Sequence, residues 1–154
     1  MKGFFMQAKQ QIPDLCLGTD LMVGFPNEND NDFAQTCESF MEMPFSYCHV
    51  FTYSERQGTA ASRMVQIPME ERRARSAHLR RLSASKRMSF HEEQEGREFR
   101  VLLENPKDDK HCGYTDHYLK VFLKEKRDEL TNKIVTVKVV EAFPEYVVGD
   151  LISE

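Results

Sequence analysis

The sequence predicts an α/β segment followed by an all-β barrel, and three features of the chain support this prediction. In the first part, strand-like apolar runs alternate with helical spacing, as in parallel βα units. Residues 68–95 then contain no glycine and have helical periodicity. After Gly96 the apolar positions recur at every second residue, which is typical of strands.

The α/β segment is predicted from two helices and two strands. A short helix is expected around residues 4–11, and the apolar run 15–26 reads as a strand buried on both faces of a parallel sheet. A second, aromatic-rich strand is expected at 45–51. The helix between the strands is indicated by Phe33, Cys37, Phe40 and Met41. Such units build parallel α/β sheets and barrels, and two of them are too few to close a barrel, which takes eight.

Residues 68–95 predict a long connecting helix. Between 68 and 90 there are seven basic and two acidic residues, whereas residues 1–62 contain three basic and eight acidic ones. One face of the helix is expected to hold Ala74, Ala77, His78, Leu82, Ser85 and Met88. Arg73, Arg80 and Arg87 recur every seven residues and therefore form a basic stripe. Nucleic-acid contact and an ordinary solvated helix face are both open for this stripe.

Residues 96–154 predict a small closed β-barrel of the OB-like type. Apolar residues alternate with polar ones in three runs and an apolar pair closes the chain: Phe99, Val101 and Leu103; His117, Leu119, Val121 and Leu123; Val135, Val137 and Val139; Leu151 and Ile152. Charged, turn-like segments are expected at 105–109 and 125–132. Barrels of this type commonly bind nucleic acids.

The sequence does not fit a membrane-spanning protein, a disulfide scaffold or a standard zinc site. The net charge is −4 and 30% of the residues are charged, while no apolar run approaches the roughly 20 residues that a membrane-spanning helix needs. The four cysteines form no close pair, so free thiols in the reducing cytoplasm are expected. The spacing of His111, Cys112 and His117 matches no standard zinc pattern.

Candidate functional groups follow the two predicted parallel strands. In parallel α/β barrels such groups lie at the carboxyl ends of the strands, which here are residues 23–28 and 52–59. The first of these loops offers Glu28, and the second offers hydroxyl groups and Arg56 before Gly58. From the residues alone, ordinary loops and a functional site both remain open.

Two segments of the chain resemble motifs of a known family. Residues 19–28 read T-D-L-M-V-G-F-P-N-E and resemble the T-D-x-x-V-G-F-P-G-E strand and turn of radical-SAM methylthiotransferases. Residues 51–61 resemble that family's F-x-Y-S-x-R-x-G-T-x-A segment. The basic helix and residues 113–119 are similar to its linker and its TRAM domain. Asn27 replaces the family's glycine, although asparagine tolerates a positive φ better than most residues.

The resemblance implies a partial TIM-like radical-SAM barrel at 1–67, a linker helix at 68–95 and a five-stranded TRAM barrel at 96–154. The motifs most resemble those of the branch that methylthiolates N6-threonylcarbamoyladenosine in tRNA. The isopentenyladenosine branch and the ribosomal-protein branch belong to the same family. The reaction inserts sulfur and a methyl group at adenosine C2 with S-adenosylmethionine and two [4Fe-4S] clusters. The partner implied is tRNA.

The resemblance also implies two sets of site residues. Those that would support S-adenosylmethionine are Asp20, Gly24, Phe25, Pro26, Glu28, Tyr53, Ser54 and Arg56. Those that would contact RNA are Arg97, Arg100, Tyr114, Thr115, Tyr118 and Lys120, with Arg73, Arg80 and Arg87 extending the track. The alternative for the aromatic residues is a place in the barrel core.

The family's cluster motif C-x-x-x-C-x-x-C does not occur in this sequence. We therefore expect this chain alone to be inactive, with no catalytic residue or metal ligand, and to retain tRNA docking and part of the S-adenosylmethionine site without binding a cofactor by itself. A separate amino-terminal half would then supply the clusters. The alternatives are a free-standing RNA-binding module and a non-functional remnant that forms homo-oligomers through unpaired sheet edges.

Overall fold

A computed structural model describes residues 2–12, 14–106, 110–125 and 127–154. The chain divides into two compact units. The first, called the α/β unit, comprises Met1–Pro13 and Leu17–Lys86. The second, called the barrel unit, comprises Asp14–Cys16 and Arg87–Glu154. No described helix is both long and apolar enough to cross a membrane.

The α/β unit is built around a pair of parallel strands. Its elements are α1 (Lys2–Gln11), β1 (Gly18–Val23), α2 (Asp30–Glu42), β2 (Tyr47–Thr52) and the larger part of α3 (Met69–Glu92). The register of β1 and β2 runs from Gly18 opposite Tyr47 to Val23 opposite Thr52. The two strands therefore end side by side.

Helix α2 begins at a capping box directly after the loop that follows β1. The Asn29 side chain accepts a hydrogen bond from the Asp32 amide at 3.0 Å, and the Asp32 carboxylate accepts one from the Asn29 amide at 3.1 Å. Both contacts satisfy amides that the first turn of a helix leaves without partners. The start of α2 thereby fixes the end of the preceding loop.

One face of the strand pair is covered by helices. Val23, Phe40, Cys48 and Leu79 form its buried core. The Ser83 hydroxyl on α3 donates to the Cys48 carbonyl at 3.0 Å and accepts from the Cys48 amide at 2.9 Å. Hydrogen bonds from a side chain to the main chain therefore hold helix α3 against β2, in addition to apolar packing.

The expectation that the first strand is buried on both faces is wrong for the structure described. Met22 is 56% exposed and Phe51 is 51% exposed, and Asp20 is exposed beside them. The reason is that α2 and α3 cover only the face that contains Val23. The opposite face of the two strands is open within this unit.

The prediction of which residues form the packed face of α3 is also wrong. Four of its six members, Ala74, Ala77, His78 and Ser85, are exposed. Within the α/β unit, the buried positions of helix α3 are instead Arg72, Arg75, Ser76, Leu79 and Ser83. Two arginines thus occupy the buried face because main-chain carbonyls and carboxylates surround them, as described below.

The barrel unit closes five strands in the order β3-β4-β5-β7-β6. The strands are β3 (Glu98–Leu103), β4 (Cys112–Thr115), β5 (Lys120–Leu123), β6 (Ile134–Ala142) and β7 (Val147–Ser153). The β5–β7 pair is parallel and the other pairs are antiparallel. The predicted fold class, α/β plus an all-β barrel, is confirmed.

Alternation places the predicted apolar residues inside the barrel. The core contains Phe99, Val101, Leu103, Leu119, Val121, Leu123, Val135, Val137 and Val139. Leu130 and Val147 join it from the connections and from β7. Their polar neighbours along each strand are consequently directed outward.

A tight turn precedes β5, whereas the alternation of His117, Leu119, Val121 and Leu123 predicted that the strand begins at His117. The Thr115 amide donates to the Leu119 carbonyl at 3.1 Å, and the Leu119 amide donates to the Thr115 hydroxyl at 3.0 Å. Residues 116–119 therefore connect β4 to β5, and His117 lies in this turn. Of the charged segments expected to be turns, residues 107–109 and 126 lie outside the described residues, while Asp128–Leu130 forms a 3-10 helix.

Candidate nucleic-acid surface and strand-end loops

The loops that follow β1 and β2 meet in the α/β unit, as expected for neighbouring parallel strands. The Tyr53 amide donates to the Val23 carbonyl at 2.9 Å. The Phe25 and Tyr53 rings make an edge contact with 5.2 Å between their centroids. The structure thus brings together Gly24, Phe25 and Tyr53, which the family motifs singled out.

The turn from Gly24 to Glu28 is closed by its own glutamate. One carboxylate oxygen of Glu28 accepts from the Gly24 amide at 3.0 Å. Gly24 has φ +76°, and a Cβ at this position would lie 2.6 Å from the Cγ of Arg72. Asn27 has φ +67°, which agrees with the expectation that asparagine preserves the turn. Close approach and backbone conformation both require glycine at 24.

Arg75 holds this turn from α3. Its guanidinium donates to the Glu28 carbonyl at 2.8 Å, to the other Glu28 carboxylate oxygen at 2.7 Å and to Asp30 at 2.9 Å, and it also bonds Glu71. Burial works against the charge of Arg75, but the bonds to Glu28 and Asp30 raise its pKa above the usual value. Arg75 therefore stays charged, and Glu28 is fully engaged within the protein.

Arg72 holds the second loop in the same way. Its side chain is 3% exposed. It donates to the Ile67 carbonyl at 2.7 Å, to the Tyr53 carbonyl at 3.3 Å and to the carboxylate of Glu55 at 3.2 Å. Sequence reasoning counted Arg72 and Arg75 only as positive charge. Their three-residue spacing, continued by Leu79, was the signal for a shared buried face.

The residues expected near S-adenosylmethionine fall into two groups. Gly24 and Pro26 are buried, Phe25 is 45% exposed, and the buried Tyr53 hydroxyl has no hydrogen-bond partner within the described part of the chain. An exposed ring and an unpaired hydroxyl are groups that a bound organic cofactor would satisfy, so these residues fit a supporting wall of such a site. Outside this group are Asp20, which lies on the open sheet face opposite His49, and the exposed residues Ser54 and Arg56.

An iron–sulfur cluster does not fit the residues that the structure describes. Such a cluster needs several thiolates together. Cys37 and Cys48 lie in the α/β unit, Cys16 and Cys112 lie in the barrel unit, and none of these four described residues is part of a disulfide. Within the described ranges, no three cysteine, histidine or acidic residues converge on one metal position.

The outer surface of the barrel contains a groove of about 630 Å³. Its lining comprises Arg100, Leu102, Glu104, Tyr114, Thr115, Asp116, Tyr118 and Ile134. Leu102 of β3 lies between Ile134 of β6 and Tyr114 of β4 in the strand register. Leu102 and Ile134 are 50% and 51% exposed, so the floor of the groove is apolar and accessible.

Tyr118 is the most exposed large hydrophobic residue of the barrel surface. It is 82% exposed, and its backbone has φ +66° in the turn between β4 and β5. A left-handed backbone costs a residue with a side chain about 1 kcal/mol. Backbone outliers of this kind cluster at ligand sites. An exposed tyrosine in this conformation therefore points to a contact outside the barrel fold itself.

Positive charge flanks the groove. Arg100 forms no ion pair with any of the described residues, and it projects from β3 into the groove. Lys120 is the strand neighbour of Tyr114, and its ammonium lies 5.1 Å from the Phe122 ring centre. The structure thus brings four of the expected RNA contacts to one side of the barrel: Arg100, Tyr114, Tyr118 and Lys120.

Other expected RNA contacts have partners inside the protein. Arg97 bonds Asp14 and Gln94, and Thr115 is buried with its hydroxyl engaged in the turn. Arg87, in the barrel unit, donates to Glu145 at 3.0 Å. In the α/β unit, Arg73 and Arg80 are both exposed, and Arg80 lies 3.5 Å from the Val50 carbonyl.

Comparison with known proteins finds relatives of one kind over most of the chain, while no family model matches it. The chain is 36% identical to the tRNA-2-methylthio-N6-dimethylallyladenosine synthase of Geobacillus kaustophilus, over 95% of this chain and 28% of that protein. It is 33% identical to the threonylcarbamoyladenosine tRNA methylthiotransferase of Bacillus subtilis, over 94% of this chain and 33% of that protein. The threonylcarbamoyladenosine tRNA methylthiotransferase of Aquifex aeolicus is 39% identical to the chain, over 59% of this chain and 22% of that protein. The chain spans about a third or less of these relatives.

Arg75→Met is expected to destabilise the α/β unit by about 3 kcal/mol, because it leaves the Glu28 carboxylate, which is only 14% exposed, without its cation. Amide hydrogen exchange in a urea series measures this, since it follows the Gly24 amide separately from the barrel. Glu71→Gln is the matched control: the Glu71 side chain is 44% exposed, so the loss should stay below about 1 kcal/mol. Equal effects of the two substitutions would contradict the role assigned to Arg75.

Proposed function

Because this chain belongs to the tRNA methylthiotransferase family, we propose that its barrel unit docks tRNA through the groove beside Tyr118. The observation that carries the proposal is this 82% exposed tyrosine in a left-handed turn next to Arg100. Such a protein would act in the cytoplasm, where tRNA is found. The separate amino-terminal half and association through sheet edges stay predictions.

The chemistry of the groove supports unpaired RNA as its ligand. Aromatic rings bind single-stranded nucleic acid by stacking on its bases, and nearby cations neutralise its phosphates. Tyr118 and Tyr114 supply rings, while Arg100 and Lys120 supply charge at the same side of the barrel. Sequence-specific recognition of RNA mostly targets loops and ends with unstacked bases.

We further propose that the strand-end loops of the α/β unit support S-adenosylmethionine in a complete enzyme. Phe25 and Tyr53 would contact the cofactor, and Gly24 would allow its close approach. Asp20, Pro26, Ser54 and Arg56 stay predictions for the same site, whereas Glu28 would act by holding the turn. When bound, S-adenosylmethionine supplies the methyl group of the methylthio product. The chain's own contribution is to orient and shield that cofactor.

Replacing Tyr118 by glycine is expected to weaken binding of a single-stranded anticodon-loop RNA by about 1 to 3 kcal/mol, because one base loses its stacking partner. Thermal stability should not fall, since glycine removes the cost of the left-handed backbone. Fluorescence anisotropy and thermal unfolding measure the two effects. A loss of affinity without a loss of stability separates a ligand contact from a structural role.

Tyr118→Phe serves as the conservative control and should bind like the wild type. Arg127→Ala is the surface control, because Arg127 lies outside the groove. Its guanidinium nitrogens are 3.7 Å from carboxylate oxygens of Glu125 and Glu129. Affinity should decrease with rising salt, with a logarithmic slope of about −0.7 for each phosphate contacted. Binding that is independent of salt, or unchanged in Tyr118→Gly, would argue against RNA docking in this groove.

As a finer proposal, we assign the chain to the branch that acts on N6-threonylcarbamoyladenosine. Its motifs at 19–28 and 51–61 have the style of that branch, and the Aquifex aeolicus relative of that name is 39% identical over 92 residues. In tRNA from cells without this gene, mass spectrometry should find no methylthio group on threonylcarbamoyladenosine. Loss confined to isopentenyladenosine would assign the other branch.

A further inference from the structure

The barrel groove has a feature that phosphate binding does not require. Two carboxylates, Glu104 and Asp116, line it together with Arg100. The Asp116 side chain is 95% exposed, and a hydrogen bond from His117 lowers the pKa of Asp116, which keeps it ionised. Ionised carboxylates only accept hydrogen bonds, and they repel phosphate. They therefore indicate a ligand group that donates.

Glu104 is the better placed of the two acceptors. Asp116 already accepts from His117 at 2.9 Å. The Glu104 carboxylate is exposed and makes no hydrogen bond to another described residue, whereas its main-chain amide is fixed to Cys112 at 2.8 Å. The backbone at 104 is thus anchored to β4 while the side chain remains available at the edge of the groove.

The remaining surface of the groove fits the face of a base. Leu102 and Ile134 form an apolar floor, and Tyr114 and Tyr118 stand beside it. The volume of about 630 Å³ lies within the range of roughly 300 to 1,000 Å³ that is common for small-molecule pockets. A nucleobase would stack on the rings and direct its polar edge toward Glu104.

We propose that this groove selects an unpaired guanine, whose Watson–Crick edge donates to the Glu104 carboxylate. This inference rests on the proposed RNA docking. Guanine presents two neighbouring donors, the N1–H and the N2 amino group, which match the two oxygens of one carboxylate. Uracil presents a single N–H between two carbonyl groups that repel a carboxylate. Inosine has the N1–H of guanine without the amino group.

The test uses the full chain and short uridine tracts that differ only at a central guanosine, inosine or uridine. Fluorescence anisotropy should give about tenfold tighter binding for guanosine than for uridine, with inosine between them. The comparison of guanosine with inosine reports on the N2 amino group alone, because the two bases are otherwise the same purine. Uridine also changes the size of the stacked ring, so the loss of its discrimination in a Glu104 variant is needed to assign that difference to the base edge.

Glu104→Gln gives opposite effects on two of these probes. Removing a negative charge by itself should tighten binding of every RNA. If Glu104 reads guanine, the guanosine tract binds more weakly and the uridine tract binds at least as tightly, so their ratio approaches one. Glu98→Gln is the matched control, since Glu98 is exposed on the same strand outside the groove and should leave the ratio unchanged.

The outcomes distinguish the guanine selection inferred here from the proposed RNA docking on which it rests. If none of the three RNA probes binds, RNA docking itself is overturned. Binding with equal affinity for the three probes, or a guanosine preference that survives Glu104→Gln, would overturn the guanine inference and leave RNA docking in place.

Discussion

Closure of the five-stranded barrel imposes the alternation on which the proposed binding surface depends. Val101 and Leu103 are completely buried, so their neighbours Arg100, Leu102 and Glu104 must face outward along β3. A shift of one residue in register would place these three side chains in the core. The apolar interior therefore fixes which residues the barrel presents to a ligand.

A different constraint organises the α/β unit. Two arginines of α3 are buried, and their charges are tolerated because each is surrounded by carbonyl and carboxylate oxygens of the strand-end loops. The helix, the turn after β1 and the loop after β2 therefore form one hydrogen-bonded network. Gly24 is part of this network, since the Arg72 side chain occupies the space where a Cβ would lie.

Local periodicity was sufficient to predict much of the fold. The strands β3, β5 and β6 follow from strict alternation of valine and leucine, and the paired loops of the α/β unit follow from two parallel strands ending together. These fold predictions needed only the period of the pattern and the direction of the strands. The RNA contacts came from the family resemblance instead, and they stay predictions although four of them lie on one side of the barrel.

The remaining features depend on partners that are distant in the sequence. Arg75 is buried because Glu28, 47 positions away, lies beside it, and no local pattern reveals that contact. Ala74 and Ala77 resemble a core face, yet alanine is readily accommodated on an exposed helix surface. The turn at 116–119 was missed because Tyr118 is an unusual residue for positive φ, and the hydroxyl of Thr115 closes the turn in place of a glycine.

The most direct measurement for the central claim is an NMR titration of the isotope-labelled full chain with single-stranded RNA. RNA docking in the groove predicts that the amide signals of residues 100–104, 114 and 118–120 shift together, while those of Arg127 and Asp150, which lie outside the groove, stay in place. Shifts confined to the surface around Arg127 and Asp150, or an unchanged spectrum at saturating RNA, would contradict the account.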